Sequence, residues 1–134
     1  MLAYAAPIID NGYAYVQRFG YTANAFNFCS GRRMTCVELT TGKTLWDHFI
    51  YLLPGTPDRE SFVSQSILAD GKIYLRGQNG TLVMIAADPK EYRELGHYVI
   101  CNETPSLRCS MALSQGQIFW ASSKGLICLD MRAH

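Results

Sequence analysis

The chain has no excess of charge of either sign: 12 Lys+Arg stand against 11 Asp+Glu, a formal balance of +1. This argues against a broad nucleic-acid or anionic-membrane surface, which needs clustered cations to replace counterions. Only Arg32-Arg33 is locally basic. No apolar run approaches the 18 or so residues of a membrane span, and the longest opening run, Met1 to Ile9, is interrupted by Pro7 and preceded by no Lys or Arg. The sequence therefore reads as soluble, with no membrane span and no signal peptide. No stretch holds an apolar 3.6-residue period, which leaves no amphipathic helix to build on. Chemistry-bearing motifs are missing too: there is no G-x-S-x-G elbow, H-E-x-x-H pair, Walker A loop or G-x-G-x-x-G turn.

Cysteine is present but unorganised. Cys29, Cys36, Cys101, Cys109 and Cys128 are odd in number, form no C-x-x-C pair and have no histidine at zinc-ligand spacing. Cys36 and Cys128 lie in apolar runs and read as buried, inert thiols. Cys101 and Cys109 are free to pair or not, because sequence separation does not supply the Cα geometry of a disulfide. Asp47-His48 are adjacent on strand-like sequence and so point to opposite faces, which does not suit a shared proton. Asp58 and Glu60 read as polar loop, and His97 and His134 have no evident partner. Gly77-Gln78-Asn79-Gly80 reads as a hairpin turn. No constellation identifies a substrate or a reaction.

With 49% hydrophobic and 17% charged residues, however, the chain has ample material for a core. An internal repeat organises it. Three segments share an apolar stretch, a polar-Gly turn and an alternating strand: Pro7 to Val16, Ser66 to Leu75 and Met111 to Trp120. Their turns are Asn11-Gly12, Asp70-Gly71 and Gln115-Gly116. Asn-Gly and Asp-Gly supply the positive φ angles of tight hairpins, and the β-branched and aromatic residues that follow suit a pleated surface. Each unit continues through a further apolar strand, Cys36 to Leu39, Leu82 to Ile85 and Leu126 to Leu129, with a turn at Gly80 in the second unit. The first unit carries an insertion of about 13 residues between hairpin and strand, placed within Tyr21 to Thr35 as a loop or extended hairpin. A turn at Gly42 then leads to an outer strand ending on Trp46, and in the second unit Lys90 to Ile100 reads as strand after the Asp88-Pro89 turn.

These units resemble the β-propeller repeats of the pyrroloquinoline-quinone family. The matching parts are Pro7 to Val16 followed by Cys36-Val37-Glu38-Leu39-Thr40-Thr41-Gly42-Lys43-Thr44-Leu45-Trp46, with Thr-Gly-Lys-x-x-Trp the more specific element, and Ser66 through Leu95 in the second unit. The resemblance implies an all-β chain of antiparallel four-stranded blades, a quinoprotein-like β-propeller that is incomplete at about three blades, divided near residues 1–62, 63–106 and 107–134. Complete propellers take about 4–8 blades of roughly 40–50 residues. Such an arc implies a piece of a larger propeller or an orphan reading frame, with ring completion by self-association as the third possibility. It further implies that Trp46 and Gly42 form a docking contact on the neighbouring blade, and that Gly12, Gly71, Gly80 and Gly116 serve as blade turns. Burial between blades would make Trp46→Ala cost about 3–5 kcal/mol. The second and third units lack the outer-strand tryptophan.

Quinone dehydrogenases of that family use an adjacent Cys-Cys pair and a calcium site, and no adjacent Cys-Cys occurs here. The expectation is therefore a non-catalytic repeat module for protein or ligand binding, with no cofactor. The alternative is a fragment of a dehydrogenase whose quinone and calcium sites lie in missing blades. Partners are expected as proteins or further copies at exposed blade edges. Phe26 and Phe28 with Arg32 and Arg33 form the first candidate recognition loop, since aromatics with arginine are enriched at binding hot spots. Resemblance to bacterial extracytoplasmic proteins is the sole pointer to a compartment.

Overall fold

The computed structural model describes residues 7–18, 33–50, 66–77, 80–100, 111–122 and 125–132. These form eleven strands in three antiparallel sheets and, among the described residues, no helix. The first sheet runs β1 (Ile8–Asp10), β2 (Tyr13–Arg18), β3 (Arg33–Glu38) and β4 (Thr44–Phe49), each paired with the next. The second repeats that order with β5 (Ile67–Ala69), β6 (Lys72–Arg76), β7 (Thr81–Ala86) and β8 (Glu94–Val99). The third has three strands among the described residues, β9 (Met111–Ser114), β10 (Gln117–Ser122) and β11 (Gly125–Asp130).

The repeat holds at the level of single bonds. Each of the three hairpins turns with both central residues at positive φ: Asn11 49° and Gly12 84°, Asp70 51° and Gly71 69°, Gln115 52° and Gly116 75°. That twist matches the right-handed twist of the strands it joins. Each turn glycine also accepts, at its carbonyl, the N–H of the residue following the unit's third strand: Leu39 onto Gly12, Ala87 onto Gly71 and Met131 onto Gly116, at 2.8 to 3.0 Å. The first two sheets even share a bulge between the third and fourth strands, after Cys36 in one and after Met84 in the other.

Counting from the turn glycines puts the side chains on two faces. Residues three and five past the glycine share one face, residues two and four past it the other, as the period of a strand requires. In the first sheet Tyr15, with its third-strand neighbours Met34 and Cys36, packs against Ile73, Leu75, Val83 and Ile85 of the second. The second sheet turns its opposite face, with Tyr74, Leu82 and Met84, onto Ile118, Trp120 and Met111 of the third. The middle sheet is thus covered on both sides, and all six residues of β7 are buried. A strand covered on both faces loses its polar alternation, which accounts for the continuous run Leu82-Val83-Met84-Ile85-Ala86. Between sheets, the described backbones come together most extensively at the first strands β5 and β9.

Two expectations need correction. The third strand of the first unit begins at Arg33 and pairs with β2 as far as Arg18, so Arg33 to Thr35, placed in an insertion read as loop or extended hairpin, is hairpin strand and not loop. The third unit shows three strands among the described residues where four were expected.

Candidate functional site

Trp46 sits on β4 in register with Cys36, which in turn pairs with Tyr15. From there its indole N–H donates to the carbonyl of Asp88 in the turn between β7 and β8, at 2.8 Å. Its ring meets Tyr92 edge-on at 5.6 Å between centroids and Tyr15 at 6.0 Å. His48, two residues on and so on the same face, stacks flat on Tyr92 at 3.8 Å with 8° between planes. Three aromatic side chains of the first sheet therefore close on the turn of the second. Gly42, at φ 73°, makes the turn that aims β4: its N–H returns to Glu38 at 2.8 Å, and Thr41 donates to the Glu38 carboxylate at 2.6 Å.

Burial governs the titration of this joint. It pushes the Tyr15 hydroxyl far above its ordinary range, assisted by Cys36 and by the carboxylates of Asp10 and Asp88. The Cys36 thiol is raised by burial as well, offset in part by its hydrogen bond with Tyr15. Tyr92 is raised by burial and then by Glu94. Groups held protonated in this way are poor nucleophiles and poor bases at neutral pH.

The joint between the second and third sheets is built on a charge. Arg76 is fully buried, its guanidinium lying 3.8 Å over the ring of Trp120 and donating to the carbonyl of Ala121 at 2.7 Å. Gln17 holds the corresponding position, five past its turn glycine, in the first sheet. It too reaches forward, donating to the Ser66 hydroxyl just ahead of β5 at 2.7 Å. The polar side chains in these interfaces thus tie one sheet to the next. The third sheet has Ala121 at that position.

The chain matches no protein-family model and no curated protein.

The remaining sequence candidates fall as follows. Gly12, Gly71, Gly80 and Gly116 all stand at positive φ in turns. Phe26, Phe28 and Arg32 lie outside the described residues, as do Cys101, Cys109, Asp58 and Glu60. Arg33 is described, and it is a β3 residue whose Nε binds Asp47 at 3.0 Å. That pairing takes Asp47 to the face opposite His48, so the two share no proton. His97, expected to have no partner, lies 3.0 Å from the Glu94 carboxylate. Cys36 is buried, whereas Cys128, expected to be buried, is exposed. At the position of the outer-strand tryptophan missing from the second unit stands Gly96, in register with Met84, and the ring of Tyr98 folds over it.

Sequence reading missed Tyr92, His48, Arg76 and Trp120 as the groups that join the sheets. For His48, Arg76 and Trp120 the signal was available in the register, by counting outward from the turn glycines or along a paired strand, whereas Tyr92 lies in the turn ahead of β8, which neither count reaches.

Proposed function

We propose that this chain is a non-catalytic propeller-like repeat module whose work is to bind a protein surface. One observation carries the reading. The face of the third sheet that holds the positions three and five past its turn glycine meets no further sheet among the described residues, yet it remains apolar: Ala112, Phe119, Ala121, Leu126 and Cys128. Leu126 is 69% exposed, although its counterparts Met34 and Leu82 are fully buried. An exposed apolar patch of this kind marks an interaction surface.

Further support comes from the repeated order of strands in the units, the contact of the second and third sheets at their first strands β5 and β9, and the Trp46 contact on the next unit. These agree with the blade arrangement implied by the quinoprotein-like resemblance. Fold resemblance by itself carries no activity. The buried polar side chains Gln17 and Arg76 are engaged between sheets, which favours a structural use for the interior.

Calorimetric titration of the chain with pyrroloquinoline quinone and calcium tests the reading. No heat of binding is expected. Tight, saturable binding by this chain alone would overturn the module.

A further inference from the structure

The register rule states what each face packs against. Positions three and five past the turn glycine, with their third-strand partners, face the following sheet: Tyr15, Gln17, Met34 and Cys36 in the first unit, Tyr74, Arg76, Leu82 and Met84 in the second. The third-unit counterparts are Phe119, Ala121, Leu126 and Cys128. Cys36 and Cys128 are the same residue at the same register position, one fully buried by the next sheet and the other exposed.

The opposite end of the stack mirrors this. Ile9 of β1 faces away from the second sheet and is 63% exposed, while its counterparts Leu68 and Leu113 pack against the preceding sheet. Around it on that face stand Val16 and Val37, half-buried, Ala14 and Thr35, buried, and the partly exposed Arg33–Asp47 ion pair. One end therefore presents the face that elsewhere receives a preceding sheet, and the other presents the face that elsewhere covers a following one. The two are complementary in kind.

We infer that the occupant of the Phe119–Leu126–Cys128 face is a second copy of this chain, offering the Ile9–Val16–Val37 face of its own first sheet. The inference rests on the module reading above. Use of both ends by every copy gives a two-fold ring for two copies and a larger ring or open filament for more; the inference is the two-copy ring, in which the sheet order of the monomer continues into the partner.

Area favours closure over a single contact. A three-stranded face six residues long, at strand spacing near 4.8 Å and rise near 3.4 Å, covers about 14 by 20 Å, roughly 300 Å². One such contact buries roughly 600 Å² in total, which is in the range of a crystal contact, whereas two bury roughly 1,200 Å², the lower limit of a stable interface.

The test is solution mass by light scattering on the full chain at tens of micromolar, for wild type and for Leu126→Asp and Ile9→Asp. Both substitutions fall on exposed side chains, and circular dichroism verifies that each variant keeps its sheet. Wild type is expected at twice the chain mass and each variant alone at the monomer mass or in rapid exchange with it. Mixing the two variants is expected to leave both at the monomer mass, because only one of the two contacts then joins unaltered faces and one alone buries too little to hold a pair. Mass spectrometry after a thiol-alkylation pulse adds a second readout, with Cys128 protected in wild type and modified in Leu126→Asp, and Cys36 unmodified in both. A monomeric, folded wild type with reactive Cys128 overturns the inference and leaves the module reading standing. A dimer that Ile9→Asp does not weaken also overturns it, since that result puts the contact away from the Ile9 face. Failure of the module reading shows separately, as binding of the quinone and calcium.

Discussion

Thr35 holds, in the first sheet, the register position that Val83 and Ile127 hold in the other two, and its hydroxyl is buried without a hydrogen-bond partner. An isosteric apolar replacement removes that desolvation cost, so Thr35→Val is expected to raise stability by about 1 kcal/mol, read from urea unfolding. The raised groups at the two joints give a pH prediction. Cys36 and the tyrosines Tyr15, Tyr74 and Tyr92 all titrate above their ordinary values of 9.0 and 10.0. As pH rises the unfolded chain gives up these protons first, so their contribution is complete below about pH 9 and is lost above it. The melting temperature is expected to stay level, as far as these groups set it, from pH 7 to near 9 and to fall beyond, with a shallower fall in Tyr15→Phe. At this scale the sequence was legible where a residue's role is local. The turn glycines follow from their neighbours, whereas the exposure of Cys128 depends on whether another sheet covers its face, which an apolar run does not report.

Hairpins were the most legible elements, because Asn-Gly and Asp-Gly dictate a local backbone conformation that no tertiary contact needs to supply. Gln115 is the exception, holding φ 52° without the side chain suited to it. Replacing it by Asn is expected to raise stability by about 0.5–1 kcal/mol without changing the register of β9 and β10. The start of β3 was not legible, since Arg33-Met34-Thr35 follows a polar, glycine-bearing stretch and its strand character comes from pairing with β2 and β4. Lys90 to Arg93 belongs to the turn ahead of β8 for a similar reason. Asp88 accepts the backbone N–H of Lys90 and the indole of Trp46, so the segment is held as a docking turn before the strand begins at Glu94. Trp46→Phe removes one hydrogen bond and is expected to cost about 1 kcal/mol, and Trp46→Ala about 3 kcal/mol, the lower end for a half-buried indole.

Across the whole molecule the middle sheet is the shared element. Its strand β7 sends Leu82 and Met84 to the third sheet and Val83 and Ile85 to the first, so adjacent residues support different joints. Truncation to Ala at Leu82 or at Ile85 is expected to cost about 3 kcal/mol each, measured by thermal or urea unfolding. Sheet order was legible from the repeat, because consecutive units that cannot bury both faces alone must stack. What closes the ends was not, because register identifies a face and its neighbours but not the molecule that covers it.

The central claim is that one packing rule joins first sheet to second and second to third. A nuclear Overhauser spectrum of the chain tests it most directly through its two tryptophans. Trp46 and Trp120 lie at different joints. The account predicts cross-peaks from the Trp46 indole to the Tyr92 ring and from the Trp120 ring to the Arg76 side chain, alongside the within-sheet peaks of β10 with β11. Within-sheet peaks without either inter-sheet set would contradict it, showing three sheets that form but do not stack.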